Sequence, residues 1–571
     1  MILGDFEVFA HDWLLCTYDM STKEERTIIN DKAALEALYE QYKDDIWMFY
    51  NARYDVYILK AILCGFNPKL VNDYIITEGK NGATYSRLFN DIQLYHFDVK
   101  TTMESLKTLE GFMGSDIRET SVPFDIERKL TAAELGEVVK YCRHDVRETY
   151  KVFCTRIEEF TSHLELASAF NLGKAALCKT KAQISAMALG AERKNLAADE
   201  CEYLIPNNIE ISTYTHVVQW FKDMQRDMSM YQKKLTCDVA GVPHVFAWGG
   251  IHGAIPNYHG KGVFINVDVA SYYPSMMLEY GYVSRAIRNP DVYADIYHKR
   301  LEYKKAKDKR QQPLKIVLNS TYGATKDKYN PLYDPKQANN ICVTGQLLLL
   351  DLIEHVEASG CADVIQSNTD GVLFKLRGDV NESYYKLDDI CYEWEQRTRM
   401  NLEFDEFCEV WQKDVNNYVM IADDRSYKSK GAYVKKLSSL DNDLPIVNEA
   451  LINYMVHNVP IEQTILGCNE LIKFQKILKV SNKYLCAQHN NKRLSEKTFR
   501  VFASTNASDT TLYKIKLKND VEVAEKFANC PDHCFIDNSS MHGRSVSGEL
   551  DKDYYITLAY NRLSDFVGKE I

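Results

Sequence analysis

The chain is poor in the features that mark several protein classes. Only 26 glycines and 13 prolines occur in 571 residues, and no glycine-rich phosphate loop is present, which excludes a phosphate site cradled by the backbone N–H groups of such a loop. No apolar run reaches the length of a membrane span; Leu347–Leu350 falls inside a shorter amphipathic pattern. The fifteen cysteines follow no regular framework and no secretory leader is visible at the N-terminus, so the expected setting is a reduced cytosol with free thiols. The densest Cys/His group, Cys530, His533, Cys534 and His542, fits no standard zinc spacing and reads as loop and core. Low-complexity segments and internal repeats are absent. Positive charge is also short: 69 Lys and Arg stand against 80 Asp and Glu, a net charge of −11, which taken alone argues against a nucleic-acid partner.

What is present shifts that reading. With 46% hydrophobic and 12% aromatic residues, the chain is globular throughout, and its length requires three to five domains or subdomains. The basic residues are clustered. His298–Lys328 holds ten Lys or Arg against Glu302, Asp308 and Asp327, and Leu471–Arg500 holds eight against Glu496. Phosphate contacts are local, so two such stretches in an acidic protein look like a lined channel rather than two solvated faces.

The first 160 residues read as α/β. Strands start at Ile2–Phe9, Trp47–Tyr50 and Ile92–Phe97, and helical patterns cover Lys32–Tyr42, Val56–Cys64 and Thr131–Phe153. Residues 160–235 are expected to be a mostly helical connector. Strand and turn signals return over Pro243–Tyr258. A basic helical hairpin is expected from about Ala294 to Tyr322, broken at Gln311-Gln312-Pro313, and a long helix over Gln337–Ala358. From about residue 440 the pattern is mixed.

Three short segments carry the chemistry of the middle region. Asp268-Val-Ala-Ser-Tyr-Tyr-Pro274 places a carboxylate at the end of an apolar strand. Lys315-Ile-Val-Leu-Asn-Ser-Thr-Tyr-Gly323 sets a cation on a helix, with Asn319 and Tyr322 beyond it. Asn368-Thr-Asp370 presents a second carboxylate between apolar runs. Two carboxylates on adjacent strands facing a cation can hold divalent metal against a triphosphate. In the N-terminal region, Asp5 and Glu7 alternate along the first strand and so share a face. Asp55 follows Asn51 at a strand-to-helix junction, and Tyr141 and Asp145 are one helical turn apart. Four acids on three elements can support a two-metal nuclease.

The trio in the middle resembles, in order and spacing, motifs A, B and C of family B DNA polymerases, in particular the compact enzymes of bacteriophages. The N-terminal segments Asp5-Phe-Glu7, Asn51-Ala-Arg-Tyr-Asp55 and Tyr141-Cys-Arg-His-Asp145 resemble the three motifs of their 3′–5′ proofreading exonucleases. The resemblance implies an α/β and α+β multidomain chain: an RNase H-like exonuclease domain (1–165), a connector and first palm segment (166–290), helical fingers (291–330), a second segment of the antiparallel palm (331–436) and a thumb (437–571) completing a right-hand polymerase. It implies Mg2+ or Mn2+, two per active site, held by Asp268, the Val269 carbonyl and Asp370 in one site and by Asp5, Glu7, Asp55 and Asp145 in the other. Tyr141 would orient the attacking water. Tyr273 would select the sugar, Arg300, Lys304 and Lys315 would bind the triphosphate, and Asn319 and Tyr322 would pack under the nascent base pair. DNA contacts are implied at Asn51, Tyr54, Ser105, Leu106, Gly249, Gly250, Tyr418, Lys430 and Gly431. The implied partners are primer-template DNA, dNTPs and other phage replication proteins, with a monomer acting in the cytoplasm of an infected bacterium and no membrane.

The sequence departs from the family at four places. Asn368 stands where the first carboxylate of motif C is usual, Ala247 replaces the tyrosine of a Tyr-x-Gly-Gly element ending at Gly250, Asn416 replaces the lysine of a Lys-x-Tyr element ending at Tyr418, and Tyr272 replaces a leucine. The gaps between the three motifs, about forty and about forty-five residues, leave no room for the insertions of protein-primed relatives. Two rivals remain at this stage: a nuclease with an inactive polymerase region, suggested by Asn368, and a non-enzymatic DNA-gripping scaffold.

Overall fold

The computed structural model describes residues 1–568. By contacts the chain divides into two compact units: residues 1–178 with 437–447 and 465–556, and residues 179–436 with 448–464 and 557 onward.

The first unit opens on an apolar strand, β1 (Ile2–Val8), followed by β2 (Trp13–Asp19) and β3 (Glu25–Ile29). After α1 (Lys32–Tyr42) come β4 (Ile46–Phe49), α2 (Ala52–Leu63), α3 (Pro68–Ile76), β5 (Tyr95–Asp98), α4 (Leu106–Met113), α5 (Ala132–Thr155) and α6 (Ile157–Ala169). The sheet order is β3-β2-β1-β4-β5; β1 is antiparallel to β2 and parallel to β4, and β4 is parallel to β5. Such a sheet needs cover on both faces, and two apolar clusters supply it. One packs Val56, Leu59 and Ile62 of α2 against Phe6 and Phe49; the other packs Val138, Cys142 and Val146 of α5 against Leu3 and Leu14. A capping box between Thr131 and Glu134 fixes the start of α5.

The second unit begins with α7 (Lys181–Ala188) and α8 (Thr215–Met224). Between them residues 189–214 are irregular, not helical as their composition suggested. Buried carboxylates on a later helix satisfy this backbone instead: Glu354 accepts from the N–H groups of Ser212 (2.7 Å) and Thr213 (2.9 Å), and Asp351 from that of Glu210 (2.5 Å). Then follow β6 (Leu235–Val239), β7 (Val242–Phe246), β8 (His252–Ala254), β9 (Tyr258–Val269) and α9 (Tyr272–Glu279). The basic hairpin is α10 (Asp291–Lys305) and α11 (Gln311–Lys326). Its break lies at 306–310, and Pro313 sits in the first turn of α11, where a missing N–H is harmless. Next come α12 (Pro335–Ser359), β10 (Ala362–Asn368), β11 (Gly371–Leu376), α13 (Val380–Thr398), β12 (Leu402–Asp414), β13 (Asn417–Ile421) and β14 (Tyr427–Lys430). The nine strands pair in the order β14-β13-β12-β9-β11-β10-β8-β7-β6, all antiparallel. α12 is buried along most of its length and packs against α9, α11, α13 and β10.

The C-terminal part of the chain adds α14 (Pro445–His457), α15 (Ile461–Gly467), β15 (Lys476–Lys479), β16 (Cys486–His489), β17 (Lys492–Leu494), β18 (Thr498–Ala503), β19 (Tyr513–Lys518), β20 (Val521–Lys526), β21 (Cys534–Ile536) and α16 (Lys552–Val567). Its strands form two small antiparallel sheets, β15-β18-β21 and β17-β16-β19-β20. Cys530 and Cys534 lie in the core between them.

Two candidate carboxylate centres

In the second unit, β9 carries Asp268 next to its end and β11 is its neighbour, with Gly371 opposite Asp268. Asp370 belongs to the two-residue turn joining β10 to β11. Thr369 takes a left-handed conformation (φ 64°), unusual for a β-branched residue. The turn is held from three sides: Thr369 N–H donates to Ile251 O (2.9 Å), Asp370 N–H to Asn368 O (2.7 Å), and Val269 N–H to Asp370 O (2.8 Å). Two glycines make the approach possible. A Cβ at Gly250 would lie 2.8 Å from Thr369 Cα, and one at Gly371 would overlap Asp268 Oδ1. The two carboxylates thereby share a cavity of about 400 Å³, walled also by Asn266, Asn368, Tyr418 and Lys430. Burial and the neighbouring Asp370 charge push the Asp268 carboxyl up to about 6, against the pull of Lys428; burial likewise raises Asp370, with Lys430 opposing.

The remaining residues singled out from the sequence are spread around this centre. Tyr273 and Tyr322 meet ring to ring at 4.2 Å between centroids, Lys326 lies over Tyr322 (4.6 Å), and Tyr322 OH contacts Cys342 Sγ (2.9 Å). Tyr272 is buried instead, donating to Gly345 O (2.6 Å). Lys315 and Asn319 are exposed on α11, and Lys304 pairs with Glu403 at 3.2 Å. Arg300 is buried, not open to solvent: its Nη1 donates to Ser271 Oγ (2.6 Å) and its Nε has no partner among the described residues. Ser271 is itself left-handed (φ 52°), so this bond steadies a strained turn between Asp268 and Tyr273. Gly249 is open-sided and Gly431 takes φ 105° beside Asn417. Asn368 uses its amide to donate to Val415 O (3.3 Å), a bond that an ionised Asp cannot make.

In the first unit, Asp5 and Glu7 project from β1 to one side and their oxygens cluster with Cys142 Sγ of α5 within 4.8 Å. Cys142 Sγ lies 3.3 Å from Asp5 Oδ2. Asp55, on the first turn of α2, accepts the N–H of Phe6 (3.0 Å), which locks α2 to β1. Asp145 on α5 forms a second group with Glu110 and His144, and Lys107 bridges its two acids, bonding to Asp145 and to Glu110 Oε1 (3.0 Å) while lying over the Tyr141 ring (4.5 Å). Burial pushes Asp5 up to about 6 and raises Glu7, Asp55 and Asp145 as well, with their mutual repulsion adding to the effect. Burial works against the Lys107 ammonium, but Asp145 and Glu110 raise it overall.

Asn51 begins α2 in a left-handed conformation (φ 76°), its N–H held by Asp98 (3.0 Å); Tyr54 OH donates to Asn72 (2.8 Å); Ser105 caps α4 through Thr108 N–H (3.3 Å), and Leu106 is buried. Sequence reasoning passed over Lys107, Glu110, Cys142 and His144. The i, i+3 spacing of Lys107 and Glu110 just after Ser105-Leu106 was the available signal for the first two.

Both centres suit a divalent cation. Their donors are mostly carboxylate oxygens, largely buried in the first unit and, in the second, a half-buried Asp268 beside an exposed Asp370, and a cation would relieve the repulsion among them.

No protein-family profile matches the chain. A stretch of 94 residues is 32% identical to DNA polymerase II of Escherichia coli (strain K12), covering 16% of this chain and 12% of that protein. A family B DNA polymerase structure from the hyperthermophilic archaeon Pyrobaculum calidifontis aligns over 99% of this chain and 77% of its own, at 13% identity and a TM-score of 0.41. Among the described residues, no helix is long and apolar enough to cross a membrane.

Proposed function

We propose that the chain is a DNA-directed DNA polymerase of family B with a 3′–5′ exonuclease, the polymerase centre in the second unit and the exonuclease centre in the first. The observation that carries this reading is the convergence of Asp268 and Asp370 across β9 and β11 on one polar cavity. A second buried group of acids, in a separate unit, has the order of elements a proofreading nuclease uses. The local likeness to DNA polymerase II adds support.

Asp268, the Val269 carbonyl and Asp370 would hold Mg2+ or Mn2+ in the polymerase centre, and Asp5, Glu7, Asp55 and Asp145 in the nuclease centre. Bound there, divalent ions supply neutralising charge to the phosphates and lower the pKa of the attacking hydroxyl or water. Around them the chain does the positioning. Tyr273, packed on Tyr322, forms a flat floor for the sugar of an incoming dNTP and leaves no space for a 2′-hydroxyl. Lys315 and Lys304 offer cations to its triphosphate in place of a backbone cradle, while Arg300, buried, steadies the Ser271 turn from behind. Asn319 and Tyr322 check the shape of the new base pair. Tyr418, Lys430 and Gly431 line the side where a primer end must enter, with Gly249 and Gly250 beside the template. In the nuclease centre Tyr141 orients the water, and Asn51, Tyr54 and Ser105 hold the frayed strand, while Leu106 packs in the core of the same unit. The short gaps between the motifs support a compact phage-type enzyme without protein-priming insertions.

Primer extension tests this directly. Wild type should extend a primer with Mg2+ and dNTPs and shorten it when dNTPs are withheld. Asp370→Ala should abolish only extension, and Asp55→Ala only degradation. Degradation without any extension would favour the second reading, a nuclease with a silent polymerase region, for which Asn368 speaks. Loss of neither activity in the two variants would sink both site assignments.

A further inference from the structure

Lys107 and Glu110 reach the nuclease centre from α4, a helix of eight residues ending at left-handed Gly114 (φ 72°). A helix this short does not hold its own place. Its far end is fastened to strands almost four hundred residues later in the chain. Arg500, in the middle of β18 and fully buried, donates Nη2 to Gly111 O (3.2 Å) and Ser115 O (2.8 Å), Nη1 to Ser539 O (2.6 Å) and Asp537 O (3.3 Å), and Nε to Gln475 Oε1 (3.0 Å). Every one of these acceptors is a neutral amide oxygen, so the guanidinium acts as a rigid spacer rather than as half of an ion pair.

Other contacts run the same way. Asn442 Nδ2 donates to Phe112 O (3.1 Å), Met541 N–H to Gly114 O (2.8 Å), and Ile117 N–H to Asn538 O (2.8 Å). On the apolar side, Gly111 lies so close to Ile477 of β15 that a Cβ would come 2.8 Å from Ile477 Cδ1. The carbonyls at the C-terminal end of α4, Gly111 O, Phe112 O and Gly114 O, are therefore answered by Arg500 of β18 and by the loops that carry Asn442 and Met541.

We propose that Arg500 is a positioning residue for the nuclease centre: by fixing the C-terminal end of α4 it sets where Lys107 and Glu110 meet Asp145, so DNA degradation depends on strands at the other end of the chain. This rests on the exonuclease reading above. A displacement of about 1 Å at such a centre costs roughly a hundredfold in rate, and among the described residues no other donor spans Gly111, Ser115 and Ser539 together.

The test uses the full chain, degradation of a single-stranded oligonucleotide with kcat and KM separated, and primer extension as an internal control. Arg500→Met fills the space without the donors. It should lower the nuclease kcat between tenfold and a hundredfold, on the order expected for that displacement, with KM within about twofold and extension unchanged; Arg500→Lys should recover part of the loss. In a Lys107→Met background, Arg500→Met should add less than about twofold, because both act through one contact. If Arg500→Met does not fold, Gly111→Val, which wedges the same contact from the helix side, is read in the same way. Undiminished degradation, a full multiplicative loss with Lys107→Met, or a parallel fall in extension would overturn the proposal. A wild type that degrades no DNA removes the exonuclease reading first, and this proposal with it.

Discussion

Gly371→Ala offers a sharp test of the polymerase centre, because it alters no ligand and no charge. The added methyl would overlap Asp268 Oδ1 and come 3.0 Å from Asp268 Cγ and 3.1 Å from Val267 O. Ordinary carbon–oxygen contact needs about 3.4 Å or more, so the carboxylate must retreat by on the order of 1 Å. The backbone is free to stay, since Gly371 is not at positive φ and keeps its place opposite Asp268 on β9. The strain of overpacking should cost about 1–3 kcal/mol of stability. A reacting group displaced by about 1 Å loses roughly a hundredfold in rate, about 2.7 kcal/mol of barrier. Extension by Gly371→Ala should therefore fall at least a hundredfold, while degradation of single-stranded DNA stays within about twofold of wild type. Single-turnover extension with saturating dNTP and thermal melting read the two quantities separately. Extension within threefold of wild type, in a protein that melts normally, would show that Asp268 is not a ligand where the reaction occurs.

Three further outcomes follow from the same geometry. Asn368→Asp gives up the donor to Val415 O and adds a third carboxylate to the cavity. It should cost about 1–3 kcal/mol in thermal or urea unfolding, and dNTP-dependent extension should not improve. Millimolar Mg2+ should raise the melting temperature of the wild type by binding only the folded state, and by less in Asp5→Asn, where one buried oxygen donor of the nuclease group is replaced; an equal shift in both would refute that site. Asp199, bonded by Arg285 (2.6 Å) and Lys336 (3.2 Å), has its carboxyl pulled down to about 2 by those partners. A depressed carboxylate contributes stability in full above its unfolded value of about 3.9 and loses it as pH falls through about 2. Asp199→Asn should thus weaken the protein at pH 6 and make little difference near pH 2, which unfolding curves at the two values would check.

How much of this was legible in the sequence depended on distance along the chain. Helix α1 runs over Lys32–Tyr42 as its spacing predicts, and the alternation of Asp5 and Glu7 does place both on one side of β1. The nearness of Asp268 to Asp370 was readable too, though with both on adjacent strands; β11, which pairs with β9, starts one residue later, and Asp370 sits in the turn before it. Residues 189–214 were not: their composition permits a helix, and bonds from far along the chain hold them irregular, among them Asp351 and Glu354 to N–H groups within 210–214 and Asn340 to that of Leu204 (2.7 Å). Arg300 looked like an open phosphate contact because position on a basic helix says nothing of rotation about its axis; packing turned it inward to Ser271. Chain position was equally silent about residues 465–556, whose contacts place them with the first unit. Lys107 was visible as a charge but not as a bridge, since its partner Asp145 lies 38 residues away.

The two centres meet one electrostatic problem with different balances. In the first unit five acids, Asp5, Glu7, Asp55, Glu110 and Asp145, are drawn together around one built-in cation, Lys107. Like charges about 4 Å apart repel by about 4 kcal/mol at the effective dielectric of a protein edge, so a group with that surplus draws divalent ions even before DNA arrives. In the second unit Asp268 faces Asp370, Asp405 adds to the repulsion but pairs with Lys428 (2.6 Å), Asn368 brings no charge, and Lys428 and Lys430 offset part of the acids. That centre has less to gain from a bare ion. Mg2+ keeps part of its water shell and takes phosphate oxygens readily, so its occupancy there should wait for the triphosphate. Under the proposed polymerase reading Asn368 is no defect: by bringing no carboxylate and tying its amide to Val415 O, it would leave a site that closes only when a nucleotide supplies the missing negative oxygens, coupling metal capture to substrate there and not at the acidic group of the first unit.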